Sequence, residues 1–324
     1  MTVQGHSYDD NVGAPVNRNR IINGSFAIDQ RNAGAAQTIT AAAALAYTTD
    51  RWYSYCTGAN VTGQRIAGTA PFQYNYRFTG AASNTAIGFG TRLEAADTIY
   101  LAGGTAMLSA YVASSSLTSV TWNAYYASSV DSFGTVASPT RTQIATGSFT
   151  VSSTLTRRSV SFSVPSAAVT GIEVVFTTGA LTATNTFTFA GVQLEAGPVA
   201  TPFEFEPFET TLRKCQRYFL AWGGEQVYNI VALGFGLSTT AAQFMLQHPV
   251  QMRAIPALST SGSFQISDGA TAPVSTGHTL NITQSSTKIS NFTSTAASGL
   301  TQFRFVRLES ANSATALFFL SAEL

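Results

Sequence analysis

The chain has 324 residues, with 17 Lys+Arg against 16 Asp+Glu, and only 10% of it is charged beside a 45% hydrophobic fraction. That apolar content excludes a disordered chain, and a formal charge of +1 excludes a charge-driven nucleic-acid or anionic-membrane binder. No stretch approaches the roughly 20 apolar residues of a membrane-spanning helix, residues 1–11 carry no secretory signal, and the two cysteines, Cys56 and Cys215, read as free thiols.

Residues 1–20 read as an arm outside the core. After it, alternation is the recurring signal. Met107 to Val112 and Val120 to Tyr126 read as strands, and Val160-Ser161-Phe162-Ser163-Val164 switches between apolar and hydroxyl side chains at every residue before Pro165 closes it. Ile172, Val174 and Phe176 repeat the period, as do Phe187 and Phe189. The phase then slips at Ala190-Gly191 and resumes at Val192 and Leu194, which one extra residue in a bulge would produce. Short strands divided by Gly, Ser, Thr and Asn predict an all-β antiparallel sandwich.

One segment departs from the alternation. From about 207 to 219, Leu212, Cys215 and Phe219 recur at helical spacing, with acids before them and bases late, the order a helix macrodipole favours. A short connecting helix is predicted here, with Gly223-Gly224 beyond its end. Strand-like runs return at Phe264 and Ile266, at Phe303 and Phe305, and at Leu317 to Leu320. The expected order is an arm at 1–20, a sandwich at 21–203, a helical linker at 204–222 and a second β domain, a further sandwich, at 223–324.

Catalytic motifs are missing. Gly88-Phe89-Gly90 and Gly234-Phe235-Gly236 lack the third glycine of a dinucleotide fingerprint and read as turns. His6, His248 and His278 are scattered. Glycoside hydrolysis needs two carboxyl groups about 5–10 Å apart; the densest cluster, Glu204, Glu206 and Glu209, instead suits a helix N-terminus paired with Arg213 or Arg217. Asp97, Asp131 and Glu173 stand alone in sequence. No catalytic residue, metal or cofactor is expected, and the chain is not read as an enzyme. The aromatics offer more, since flat rings stack on sugar C–H faces without any net charge. Tyr74 and Tyr76, sharing one strand face, with Trp122 and Tyr125, are the candidate carbohydrate contacts; Tyr125, out of phase with Trp122, is the one expected to be exposed. Trp52, after Asp50-Arg51, reads as an anchor packed under a turn.

Several strings together carry a resemblance: Asn19-Arg20-Ile21-Ile22-Asn23-Gly24-Ser25-Phe26 with Asp29-Gln30-Arg31, Tyr47-Thr48-Thr49-Asp50-Arg51-Trp52, Phe189-Ala190-Gly191-Val192-Gln193-Leu194-Glu195-Ala196-Gly197, Thr201-Pro202-Phe203-Glu204 and Cys215-Gln216-Arg217-Tyr218-Phe219. In this order the chain, over roughly residues 19–220, resembles tailed-bacteriophage tail fibre and receptor-binding virion proteins with a carbohydrate-binding-module-like jelly roll; the C-terminal part, with Pro249-Val250-Gln251-Met252-Arg253-Ala254-Ile255-Pro256, is similar to their trailing β domain. The resemblance implies an N-terminal jelly roll in which an Asn23-Gly24-Ser25-Phe26 strand lies beside the closing Gly191–Leu194 strand. Modules of this shape often hold a structural calcium near those strands, but the closing strand here reads Ala190-Gly191 in place of an acid, so no calcium site is expected. It further implies a homotrimer, with Leu212, Cys215 and Phe219 packed near its axis, and an arm docked on another phage structural protein. The function expected is that of a virion protein, a tail fibre or tail tip binding a host surface glycan and assembled in the host cytoplasm. A head fibre or capsid-decorating protein is the alternative, and a glycan depolymerase a third reading.

Overall fold

The computed structural model describes residues 17–324; the arm expected at 1–20 lies mostly outside them, as does His6. The first part is a sandwich of β1 (Gln37–Ile39), β2 (Ala42–Tyr47), β3 (Trp52–Thr57), β4 (Val61–Ala67), β5 (Tyr74–Thr79), β6 (Ala86–Leu93), β7 (Thr105–Ser114), β8 (Ser119–Ala127), β9 (Arg141–Thr150), β10 (Thr156–Ser163), β11 (Ile172–Thr178) and β12 (Thr186–Ala196). Two antiparallel six-stranded sheets result, in the orders β1-β4-β5-β12-β7-β10 and β2-β3-β6-β11-β8-β9. The all-β class read from alternation is the one observed.

Side chains of both inner faces meet in one aromatic core. Trp52 stacks on Phe89 at 4.7 Å, Phe89 stacks on Tyr76 at 5.0 Å, and Phe26 contacts all three rings. The Trp52 indole N–H donates to the Asn23 carbonyl at 3.1 Å, so Trp52 is the anchor expected under its turn. The bulge expected at Ala190-Gly191 is present: the register of β12 against β7 shifts between Ala190 and Gln193, and Gly191 takes a φ of +49° with the Phe72 ring against it.

Three local expectations are corrected. Residues 21–25 form a turn instead of a strand, because Asn23 (φ 59°) and Phe26 (φ 57°) are left-handed and the Asn23 amide closes on the backbone of Ile28 and Asp50. The segment still runs along the closing strand, with Val192 N donating to Gly24 O and Arg20 N to Leu194 O. Gly88 and Gly90 sit inside β6 instead of a turn, since the bare α-carbon of Gly88 leaves room for the Tyr55 ring. Gly234 and Gly236 likewise fall within a strand, Ile230–Gly236.

A four-residue helix, α1 (Ala95–Thr98), follows β6, and the connecting helix is α2 (Phe208–Gln216), with Glu209 in its first turn and Arg213 and Lys214 in its last. The second domain contains β13 (Phe219–Gly223), β14 (Ile230–Gly236), β15 (Ala241–Gln247), β16 (Ala257–Ser261), β17 (Phe264–Ser267), β18 (Ser275–Leu280), β19 (Ile289–Ala296), β20 (Phe305–Ser310) and β21 (Leu317–Ser321). A three-stranded sheet, β13-β21-β16, covers one face of a six-stranded sheet, β17-β20-β14-β15-β19-β18. Phe318 and Leu320 of the small sheet and Phe244, Phe292, Val306 and Leu308 of the large one form the core between them.

Candidate functional site

The four residues expected to bind carbohydrate do not converge. Tyr74 and Tyr76 belong to β5 in one sheet, Trp122 and Tyr125 to β8 in the other. Tyr76 and Trp122 are core residues: Tyr76 lies among Phe78, Phe89 and Phe26, and Trp122 stacks on Phe162 at 5.5 Å. Neither offers a ring face to a sugar. Tyr74 and Tyr125 are half-buried, each under an arginine: the Arg65 guanidinium lies 4.3 Å from the Tyr74 centroid and that of Arg141 lies 4.1 Å from Tyr125.

Arg141 belongs to a buried polar cluster on its sheet. Glu173 of β11 is fully buried, pairs with Arg141, and accepts from Arg92 Nε at 2.7 Å and from the Tyr53 hydroxyl at 2.6 Å. Removing charge from water is costly unless every lone pair is met, and here three donors meet one carboxylate. Burial, reinforced by the Glu173 charge, pushes the Tyr53 phenol far above its ordinary range.

The joint between the two domains is built the same way. Arg51 is fully buried, pairs with Glu323, donates to the Arg92 carbonyl and stacks on Tyr218. Arg31 donates to the other Glu323 oxygen at 2.9 Å and lies over the Phe219 ring. Arg92 Nη1 and the Tyr47 hydroxyl both donate to the Leu324 backbone oxygen, at 2.9 and 2.7 Å. From the second domain, Arg253 donates to the carbonyls of Ala322 and Glu323. Next to the joint the Asp50 carboxylate accepts from Gln30 N at 2.7 Å, while burial raises its pKa to about 6.

Of the helix residues expected at a threefold axis, this joint covers two within the single chain. Cys215 and Phe219 are buried by their own chain, Phe219 beneath Arg31 and opposite Phe319 at the start of β13, and Leu212 is half-buried. The acids before α2 are also differently engaged than expected. Glu204 accepts from the N–H groups of Asn17 and Asn19 at 2.7 Å each, Glu206 pairs with Lys214, and Arg217 forks onto Glu94 at 3.0 and 2.8 Å. Cys56 and Cys215 are both free and buried. Among the described residues no group of three or more His, Cys, Asp or Glu could hold a metal ion, and no helix is long and apolar enough to cross a membrane.

The second domain exposes what the first conceals. On the outer face of its large sheet Leu233 stands opposite Met245 on one side and Arg307 on the other, and Phe235 stands opposite Phe305. Leu233, Met245 and Phe305 are 66%, 58% and 85% exposed, with Phe303 78% exposed at the edge. A hollow of about 180 Å³ lies on the same face between Leu233, Asp268, Phe305 and Arg307. Its cations are already paired within the chain, Arg304 with Asp268 and Arg307 with Glu309. Sequence reasoning placed Phe303 and Phe305 on strand-like runs without finding this face; the signal was the phase of β20, where Phe305 falls opposite to Val306 and Leu308.

No protein-family model and no curated protein matches the chain. In three dimensions the chain is similar in fold to the carbohydrate-binding module TmCBM61 in complex with β-1,4-galactotriose, at 10% identity over 56% of this chain and 99% of that one with a TM-score of 0.36. It is similar also to the enzymatically active domain of bacteriophage CBA120 tailspike protein 4, at 12% identity over 56% of this chain and 22% of that one with a TM-score of 0.33. A cyclase from Fischerella sp. TAU is a third, at 10% identity over 56% of this chain and 98% of that one with a TM-score of 0.34.

Proposed function

We propose that the chain is a structural protein of a tailed-phage virion, a tail fibre or tail tip that works as a homotrimer and binds a host surface glycan. The virion reading rests on the ordered strings between Asn19 and Phe219. Those strings turn out to be joint-forming: Asn19 and Asn23 lock the first turn, Gln30, Arg31 and Arg51 reach the second domain, and Tyr218 and Phe219 receive them. A chain so jointed suits a load-bearing particle component held together without disulfides.

The observation that carries the self-associating part is the outer face of the large sheet. Its exposed apolar side chains, Leu233, Phe235, Met245, Phe303 and Phe305, gather on one face, and a contiguous apolar patch of this kind marks an interaction surface. The second occupant is another copy of the chain, because one surface carries both protruding rings, Phe303 and Phe305, and a hollow beside them. Its paired cations leave no net repulsion between copies. Closing that contact around an axis gives a ring.

Two measurements test this. Light scattering on the purified chain gives three times the chain mass; a monomer at micromolar concentration removes the oligomer. Immunogold labelling of particles with antibody to residues 221–324 marks the tail; label over the head makes this a head-fibre or decoration protein.

A further inference from the structure

A cleft of about 480 Å³ opens where the segment at 17–22, α1 and α2 meet, within the ~300–1,000 Å³ of small-ligand sites. Glu94 and Tyr218 lie at its buried end, Asp97, Arg20 and Lys214 line it, and Tyr100, 76% exposed, stands under the Arg20 guanidinium at 5.9 Å. Tyr218 is fully buried beside the Arg217–Glu94 fork, and its hydroxyl makes no hydrogen bond of ordinary geometry among the described residues. Arg20 Nε is equally without one. Buried polar atoms are almost always bonded, so an unpartnered phenol at the end of an open cleft marks a place where a ligand oxygen is recognised.

The lining selects the ligand. Arg217 is neutralised by Glu94 and Lys214 by Glu206, which leaves Arg20 balanced by Asp97. A phosphate or sulfate would find too little positive charge, whereas neutral hydroxyls find donors and acceptors of both kinds. Burial and the nearby Glu94 charge raise the Asp97 carboxyl above its usual range, while for Glu94 burial, the largest single influence, is outweighed only by its donors and cations together, Arg217 foremost, which hold it below its own. Tyr100, exposed beside the Arg20 that lines the cleft, offers a flat ring on which a sugar face stacks.

We infer that this cleft binds the end of a neutral saccharide, with one ring on Tyr100 and the hydroxyls of the next reaching Asp97, Arg20 and the Tyr218 hydroxyl. The inference rests on the host-glycan reading and locates that glycan away from Tyr74 and Tyr125. Titration calorimetry of the full chain against short neutral gluco-, galacto- and manno-oligosaccharides tests it, with Tyr100→Ala, Asp97→Asn and Tyr218→Phe beside Tyr74→Ala and Tyr125→Ala. Tyr100→Ala and Asp97→Asn weaken the best-binding oligosaccharide about tenfold or more, and Tyr218→Phe about five- to tenfold, as the loss of one hydrogen bond predicts. Tyr74→Ala and Tyr125→Ala leave it unchanged. Tyr100 is exposed enough that its variant keeps the wild-type melting temperature. Wild-type binding that survives all three cleft substitutions overturns the cleft and leaves the glycan reading standing. A wild-type chain that binds none of the probes overturns both, and release of reducing sugar from a bound probe would show turnover where only binding is proposed.

Discussion

The guanidinium of Arg51 lies 3.4 Å from the ring centroid of Tyr218, so a residue of the first sandwich and one just past the connecting helix share a single stacked, solvent-free contact. Both are fully buried, and the charge of Arg51 is met by Glu323 from beyond β21. Three parts of the sequence thereby become one joint.

Breaking that joint on one side leaves an uncompensated charge. Arg51→Met and Glu323→Gln singly each lower unfolding free energy by about 3–5 kcal/mol, and the double substitution recovers part of the loss. Urea denaturation of the four proteins checks this. Strictly additive losses would mean the two residues are not coupled.

Gly191→Ala forces a β-carbon into the Phe72 ring at a left-handed position. A cost of about 2 kcal/mol or more is expected from backbone strain and the clash together. The pairing Gly191→Ala with Phe72→Leu should relieve the clash and leave the strain, which thermal melts of the two variants resolve.

His278 packs between Phe264 and Phe318 at 5.6 and 5.7 Å, and burial depresses its pKa to about 4 from an ordinary 6.5. A depressed base binds its proton more weakly when folded, so its contribution to stability is complete above pH 6.5 and is lost as pH falls toward about 4. Asp50 acts in the opposite sense: with its pKa raised to about 6, its protonation favours the folded state as pH falls from there toward 3.8. The informative quantity is therefore the difference between wild type and His278→Gln across this window, which narrows as pH falls. A constant difference would remove His278 as a titrating group.

Both thiols are buried, and burial pushes Cys215 well above its usual range and Cys56 upward. Reactivity follows the thiolate, so a thiol-disulfide reagent at pH 8 labels neither cysteine in the native chain and both in urea. Rapid native labelling of Cys215 would mean that the packing of α2 opens readily.

Leu233→Gln with Phe305→Ser removes apolar surface that the single chain leaves in water. The variant falls to monomer mass in light scattering while its melting temperature, measured at equal low concentration, changes by no more than the ~0.5 kcal/mol typical of surface positions. Unchanged mass would place the contact elsewhere.

How much of this could be read beforehand depends on the range of the interaction. Val160 to Val164 and Ile172, Val174 and Phe176 announced β10 and β11 because alternation is local, and the slip at Ala190-Gly191 announced its bulge for the same reason. Leu212 and Cys215 announced α2, but Phe219, next on the same stripe, begins β13, since three-dimensional pairing with β21 outweighs periodicity. Tyr76 and Trp122 carried the right chemistry for sugars and the wrong address, because alternation gives two faces without saying which one is inside. The joint was hidden most completely. Strand register places Arg92 and Glu173 opposite each other, yet Glu173 stands alone in sequence, and nothing local links Arg51 to Glu323.

That last separation has a cost in time. Arg51 and Glu323 are 272 residues apart, and at roughly 5–20 residues per second a ribosome takes about 15–55 s to travel from one to the other. Through that interval a nascent chain holds Arg31 and Arg51 without the acid that receives them and the Tyr47 hydroxyl without its acceptor. The first domain is thus early in synthesis and late in completion.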